Sequence, residues 1–364
     1  MSENCVSKKK VNVLITAVGG GSIGRQVAKA LQITDIPVKI IGVDASSYAY
    51  GLSDADKAYI VPKADSANYI ATILDLCEKE NIHYLVPGSE VELKQISKHR
   101  SAFEDKGIRL LINDNKVISI CFDKSATFKF LKKKGFLTPT TWNIHAIENI
   151  ENITSFPLII KPAIQSGGSS NVFIARNYNE LKNYVQQLLY ENLKVLVQEY
   201  IGTADEEYTV GVLTTPDSGE MIGSIALRRL LLDSISTKLR IRDSNSNIPY
   251  VISSGFSQGL IEPFPEVQKV CEDIALALNS KGPINIQCRK TEKGIFPFEI
   301  NPRLSGTTYL RAMVGYNEPE MLIRYFQTGK VPIVPKYRHG YVLRELREKY
   351  VSLEEIDSFK RYNL

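Results

Sequence analysis

The segment Phe298-Glu299-Ile300-Asn301-Pro302-Arg303 places a carboxylate and an amide two residues apart, with an arginine just beyond. On a strand Glu299 and Asn301 face the same way, because side chains alternate with a period of two. A carboxylate and an amide oxygen side by side suit a hard cation such as Mg²⁺, which is usually shared with phosphates. Gln287, on the preceding strand, offers a third oxygen. Pro302 ends the strand, so Arg303 stands where its guanidinium can grip a phosphoryl group at two points. The plainer alternative is an edge strand with a surface Glu and an Asn-Pro turn.

A second group is basic. Lys161 ends a short apolar strand and is followed by Pro162 and then by Ser166-Gly167-Gly168-Ser169-Ser170. Small residues let backbone amides approach phosphate oxygens, and a nearby lysine adds point charge. Lys124 opens a helix, where its charge opposes the dipole, so a ligand-facing role is favoured. A third group follows the apolar stretch 195–198. There Glu199, Tyr200 and Ile201 can present backbone groups to a flat base. Glu206 and Glu207 come next; neighbours on a strand face opposite ways, so one of them is expected to accept from two ribose hydroxyls. Substrate anchors are sought in Arg228 or its neighbour Arg229, of which only one can face inward on a regular strand, in Arg311 and, for an amino group, in Glu90. A flexible loop and solvated surface charges are the competing explanations.

One motif points elsewhere. Gly19-Gly20-Gly21-Ser22-Ile23-Gly24 fits G-x-G-x-x-G, and Asp44 lies twenty residues beyond Gly24. That is the dinucleotide fingerprint with its ribose carboxylate. The bland reading is a tight strand-to-helix turn. Nothing after residue 120 resembles a dehydrogenase's catalytic domain, and His83, His99, His145 and His339 sit in no proton-relay context.

The elements that must position these residues divide in two. Residues 11–18, 38–43, 84–86 and 108–112 read as strands alternating with helices over 22–32, 66–80 and 91–106, which implies a parallel sheet covered on both faces. Beyond residue 113 the character changes. Helices are expected over 123–134, 178–189 and 267–278. Strands are expected over 158–161, 172–175, 195–200, 208–213 and 221–227. Residues 284–289 and 295–300 are expected to form a hairpin around 291–294. Residues 234–247 are polar and read as a mobile loop. The expected fold is thus an α/β N-terminal domain with a parallel, Rossmann-like sheet, followed by an α+β domain.

Bulk properties set limits. The 364 residues suit two or three packed units, and 43% apolar with 23% charged residues is globular composition. A net charge of +5 suits an anionic ligand, but no basic stripe interleaved with aromatics points to nucleic acid. Five widely spaced cysteines with no CxxC pair indicate neither a disulfide framework nor a zinc site and favour a reducing cytoplasm. No stretch approaches the ~20 apolar residues of a membrane span.

In order along the chain these segments resemble the ATP-grasp superfamily, within it the carbamoyl-phosphate-synthase-like carboxylate–amine ligases, including amino-acid ligases. The resemblance rests on Gly19–Gly24 and Pro87-Gly88-Ser89-Glu90, then Asp123-Lys124 with Gly135 and Thr138-Pro139, then 158–170, 198–201, Glu207, Gln287 and 299–303. It implies a pre-ATP-grasp domain over 1–113, an ATP-grasp domain over 114–330 with a lid over about 125–200, and a C-terminal extension over 331–364 packed on the core. It implies ATP with Mg²⁺ or Mn²⁺. Lys124, Lys161 and the loop Ser166, Gly167, Gly168 and Ser169 would hold the phosphates. Glu199, Tyr200 and Ile201 would border the adenine, and Glu207 would hold the ribose. Gln287, Glu299 and Asn301 would bind the metal, and Arg303 with Lys161 would be catalytic. Many relatives carry an acid at the position of Gln287. Partners would be a small carboxylate and an amine, and a homodimer is expected from what is common among relatives. Bicarbonate-using carboxyphosphate chemistry, a non-catalytic nucleotide-binding protein and an NAD(P)-dependent oxidoreductase are the rival readings.

Overall fold

The computed structural model describes residues 10–164, 171–231, 235–242 and 248–363. In chain order the elements begin with β1 (Val11–Thr16), α1 (Ile23–Gln32), β2 (Val38–Asp44), β3 (Lys57–Ile60), α2 (Tyr69–Lys79), β4 (Tyr84–Val86), α3 (Glu90–Lys98), α4 (Arg100–Glu104) and β5 (Arg109–Leu110). Then come α5 (Asn115–Phe122), α6 (Lys124–Lys133), β6 (Thr141–Ile144), β7 (Leu158–Pro162), β8 (Phe173–Ala175), α7 (Tyr178–Tyr190) and β9 (Val195–Glu199). The strands β10 (Glu207–Thr214), β11 (Met221–Arg229), β12 (Thr237–Ile241), β13 (Tyr250–Ser253) and β14 (Gly259–Ile261) follow. The chain continues through α8 (Pro265–Ala277), β15 (Pro283–Thr291), β16 (Gly294–Asn301), α9 (Thr308–Met313), α10 (Glu318–Thr328), β17 (Gly340–Val342), α11 (Leu353–Ser358) and β18 (Lys360–Arg361).

Two compact units result. The first takes the residues up to 112 together with 304–337 and those after 344; the second takes 113–303 and 338–344. Residue 330, the expected end of the grasp domain, lies in the first of these units. Residues 304–330 join the first unit because α9 and α10 dock on α1: the Asn317 side-chain amide donates to the Ala30 carbonyl at 2.8 Å, and the Lys29 ammonium lies 4.0 Å from the Tyr309 ring centre.

In the first unit six strands pair in parallel in the order β18-β3-β2-β1-β4-β5. Val13, Leu14, Ile15, Ile41 and Leu85 are fully buried, as both faces of such a sheet are covered. Ser22 caps α1, its hydroxyl accepting from the Arg25 N–H at 3.1 Å. The helix expected over 91–106 is broken at His99 into α3 and α4. The outer edge of β3 is covered by β18, a strand without a sequence signal, held by an edge-on contact of Tyr362 with Tyr59 at 5.6 Å.

The second unit contains an antiparallel sheet in the order β16-β15-β10-β11-β14-β17, a smaller one in the order β6-β9-β7-β8, and the β12-β13 pair. α6 and α8 pack on the larger sheet through Phe128, Leu131, Val267, Cys271 and Ile274. α7 covers the smaller sheet through Leu181, Val185 and Leu188. The smaller sheet thus starts at β6, later than the expected 125, because α6 spends its apolar face on the larger sheet. The stretch 234–247, read as an irregular loop, contributes β12, whose Leu239 pairs with Ile252. Among the described residues no helix is long and apolar enough to cross a membrane.

Candidate active site

A cleft in the second unit is lined by Lys124, Lys161, Glu199, Tyr200, Ile201, Glu207 and Glu299, with Ile159, Val172, Ile252, Phe296 and Phe298 as apolar walls. Lys161 reaches it from β7. Its ammonium donates to the Gln198 side-chain oxygen at 2.9 Å and to the Phe298 carbonyl at 3.3 Å, and lies 5.3 Å from the Phe128 ring centre. Burial, then the like charge of Lys124, pull its pKa down to about 7, against the opposing pull of Glu299. Lys124 is anchored to the same strand end. Its N–H donates to the Ala163 carbonyl at 2.9 Å, and the Asp123 carboxylate caps α6 by accepting from the N–H groups of Ser125 (2.8 Å) and Ala126 (3.2 Å).

A β-bulge sets the far wall. Gln287 on β15 faces Glu299 on β16, yet the next residue, Cys288, faces Pro297, so Phe298 is the extra residue. Phe296, Phe298 and Glu299 therefore all line the cleft, which strict alternation forbids. Beyond the bulge the period of two resumes, so Glu299 and Asn301 keep one side as expected, with Asn301 buried. Arg303 lies in the turn that follows, its N–H donating to the Asn301 carbonyl at 2.8 Å.

A row of charge crosses three strands at this wall, with Glu207 and Arg289 lining the cleft. Glu207 on β10 is paired in register with Arg289 on β15. One carboxylate oxygen accepts from Arg229 Nη1 at 3.1 Å; the other accepts from Arg289 Nε at 3.0 Å and Nη2 at 2.8 Å. Burial lowers the Arg229 pKa in spite of Glu207 and Glu299. For Arg289 burial is outweighed by Glu207 and Tyr200, and its pKa is raised. This corrects the expected ribose role of Glu207, since guanidinium groups already hold both of its oxygens.

Gln287 is corrected in the same way. Its amide oxygen accepts from Arg229 Nη1 at 3.1 Å, and its amide nitrogen donates to Glu299 Oε2 at 2.8 Å. The group turned toward Glu299 is a donor, whereas a metal ligand must present a lone pair. Among the described residues there is no cluster of three His, Cys, Asp or Glu able to hold a metal ion.

Glu199, Tyr200 and Ile201 line one side of the cleft. The N–H groups of Glu199 and Tyr200 donate to the carbonyls of Thr140 (2.9 Å) and Pro157 (3.2 Å), and the Glu199 carboxylate accepts from the Thr140 hydroxyl at 3.0 Å. The Ile201 carbonyl accepts from Arg289 Nη1 at 3.0 Å. Tyr200 places its ring 4.5 Å under the Arg289 guanidinium, and its hydroxyl accepts from the Val251 N–H at 2.9 Å.

The substrate candidates fare differently. Arg228 points to the outer face of β11, over the Phe264 ring and 3.9 Å from Glu206, because alternation turns its neighbour Arg229 toward Glu207 instead. Arg311 is fully buried in the first unit, with Nη1 3.2 Å from both oxygens of Glu318, so its charge serves that unit's core. Glu90 opens α3, also in the first unit. Ser166, Gly167, Gly168 and Ser169 lie outside the described residues. Arg289, Phe298 and the β13 wall were not foreseen, and Arg229, weighed with Arg228 as a substrate anchor, is bound to Glu207 and Gln287 instead. For Arg289 a signal existed: it stands two residues after Gln287, on the same strand face.

The front motif has a packing role in this geometry. A Cβ on Gly24 would meet the Thr16 carbonyl oxygen at 2.3 Å, and one on Gly88 would meet the same oxygen at 1.9 Å. Both glycines let α1 and the β4–α3 turn approach the end of β1. The Asp44 carboxylate is turned onto the main chain and accepts from the Ser46 N–H at 3.0 Å.

A cleft with two lysines, the Glu299 carboxylate and apolar walls fits a nucleoside triphosphate carried with a divalent cation. Comparison with known proteins points the same way. Residues 13–111 match the PylC-like N-terminal domain, residues 121–226 the RimK-like ATP-grasp domain, and residues 191–349 the ATP-grasp domain of the biosynthetic pathway with Ter operon. The chain is 26% identical over 242 residues to the carbamoyl phosphate synthase large chain of Saccharolobus solfataricus, covering 65% of this chain and 21% of that one. It thus spans about a fifth of that relative's length. Its fold is similar to that of the L-amino acid ligase from Bacillus licheniformis (TM-score 0.61, 16% identity, 86% of this chain and 73% of that one). It is also similar to that of the D-alanine–D-alanine ligase from Bacillus anthracis (TM-score 0.57, 16% identity, 88% and 96%). The two ATP-grasp domain models, which together match residues 121–349, place this chain in the ATP-grasp superfamily.

Proposed function

We propose that the cleft binds Mg·ATP and that the chain is an ADP-forming ligase, which activates a substrate carboxylate as an acyl phosphate for attack by an amine. The observation that carries this reading is the convergence of Lys161, buried and bonded to Gln198, with Lys124 and Glu299 on one apolar-walled cleft. The two ammonium groups neutralise triphosphate charge. Ile159, Val172 and Ile252 cover a flat base beside Glu199, Tyr200 and Ile201. Glu299 and Asn301 would hold the divalent cation, which draws charge from the transferring phosphoryl group. The substrate carboxylate oxygen attacks the γ-phosphorus and ADP leaves; the amine then attacks the acyl carbon and phosphate leaves. Such chemistry needs positioning and charge neutralisation rather than an enzyme nucleophile. Arg303 is assigned to the phosphoryl group. The similarity to amino-acid ligases supports a carboxylate–amine pair.

Phosphate release from Mg·ATP tests this, with pooled amino acids, other small carboxylic acids, amines and bicarbonate, for the wild type beside Glu299→Ala. Release stimulated by one pool and lost in the variant is the expected outcome. Bicarbonate-stimulated release without an amine would instead indicate carboxyphosphate chemistry. Intact nucleotide binding with no release from any pool would indicate a non-catalytic protein.

A further inference from the structure

Gln287 is held at both ends by groups that fix which way its amide faces. A guanidinium only donates, so the atom 3.1 Å from Arg229 Nη1 is the amide oxygen. A carboxylate only accepts, so the atom 2.8 Å from Glu299 Oε2 is the amide nitrogen. Turning the amide round would set its N–H groups against a guanidinium and its oxygen against a carboxylate. Arg229 in turn cannot swing away. Its side chain is 2% exposed, Nη1 also donates to Glu207, and Nη2 donates to the carbonyls of Ser254 at 2.8 Å and Phe256 at 3.3 Å. Arg229 and Arg289 share the single carboxylate of Glu207, which leaves one positive charge over, one amide away from Glu299.

We infer that the cleft takes one divalent cation per nucleotide, and that Arg229, linked to Glu299 through Gln287, supplies the positive charge a second cation would bring. This rests on the nucleotide-binding reading above and adds the metal count to it. Glu299 keeps its other oxygen for the ion, with Asn301 on the same side of β16. A second ion needs another acceptor close by, and the amide oxygen of Gln287 is committed to Arg229. It would also sit against that buried guanidinium and the ammonium groups of Lys124 and Lys161, and of the other described carboxylates lining the cleft Glu207 is taken up by Arg229 and Arg289 and Glu199 accepts from Thr140. Gln287 is on this account a positioning residue that orients Glu299.

Mn²⁺ titration followed by electron paramagnetic resonance, with saturating non-hydrolysable ATP analogue, reads the count directly and does not require turnover. The wild type is expected to bind one Mn²⁺ per bound nucleotide. Arg229→Gln removes the charge and frees the amide, while Glu207 keeps Arg289; the count is expected to rise to two. Two ions in the wild type would overturn the inference, as would one ion in folded, nucleotide-bound Arg229→Gln. Should that variant not fold, Arg229→Met carries the same expectation, and the wild-type count stands by itself. A chain that binds no nucleotide at all would overturn the proposed function and this inference together. Nucleotide binding with two ions would overturn the inference alone.

Discussion

In the first unit the loop from Gly19 to Gly24 turns a buried strand into a helix, and the capping and charged groups of this unit find partners within it. Asp44 accepts from main-chain N–H groups, Ser22 caps its own helix, and Arg311 is closed on Glu318. In the second unit Glu207, Arg229, Arg289 and Gln287 are also bonded to one another, but with one positive charge over, and the network reaches the cleft, which Glu207 and Arg289 line. Glu299 and Lys161 stand at the open end of that network. Buried charge in the first case holds a core together; in the second it forms a rigid backing for groups that face a ligand. A glycine-rich turn is therefore a weak guide to function when its glycines answer to close packing, and a charged network is a strong one when it ends at a cavity.

That contrast can be broken by substitution. Glu318→Gln removes the carboxylate charge facing the buried Arg311 guanidinium, and loss of one member of such a pair costs about 3–5 kcal/mol. Urea unfolding of the variant is expected to show that loss, with nucleotide affinity unchanged wherever the protein remains folded. Glu299→Ala should do the reverse: substrate-stimulated phosphate release falls by about a hundredfold or more, while the urea midpoint hardly moves. Equal effects of both changes on stability would erase the distinction between the two regions. Gly88→Ala forces a Cβ to within 1.9 Å of the Thr16 carbonyl oxygen. Overpacking of this kind costs about 1–3 kcal/mol, and ATP-analogue binding by calorimetry should survive it. An NADH fluorescence signal lost in Gly88→Ala would instead return the front motif to a ligand-binding role.

The smallest effect concerns pH. Glu92 is buried next to Thr16 and Ser89, and burial first, with the charge of Asp44, raises its pKa to about 7. Folded chains then keep a proton that unfolded chains have released, so the contribution is complete at acid pH and fades as pH rises toward 7. The effect is on the order of 1–2 kcal/mol. Thermal melts of the wild type from pH 5 to 7.5, compared with Glu92→Gln, should show a decline present only in the wild type. A slope shared by both would clear Glu92 of the effect.

The sequence by itself determined the alternation of β1, α1, β2, α2 and β4, because continuous apolar runs bounded by glycine and charge admit little else. It determined the β15–β16 hairpin, and the shared side of Glu299 and Asn301, through the period of two. It located Lys124, Lys161 and Glu199, which are local in origin, each set at the end of an element. Where that period breaks, local reasoning ended. The bulge at Phe298 exists only because β15 and β16 are out of step by one residue, and it alone lets Phe298 and Glu299 share the cleft. Whether Glu207 was a free carboxylate depended on Arg289, eighty-two residues away in sequence, and on Arg229 from a third strand. Whether Gln287 presented an oxygen or a nitrogen depended on what stood at each end of its amide. Side-chain type and spacing fix what a residue can do. The partners that satisfy its hydrogen bonds are chosen by strand register and sheet order, which come from contacts far apart in the chain, and only the tertiary structure decided them.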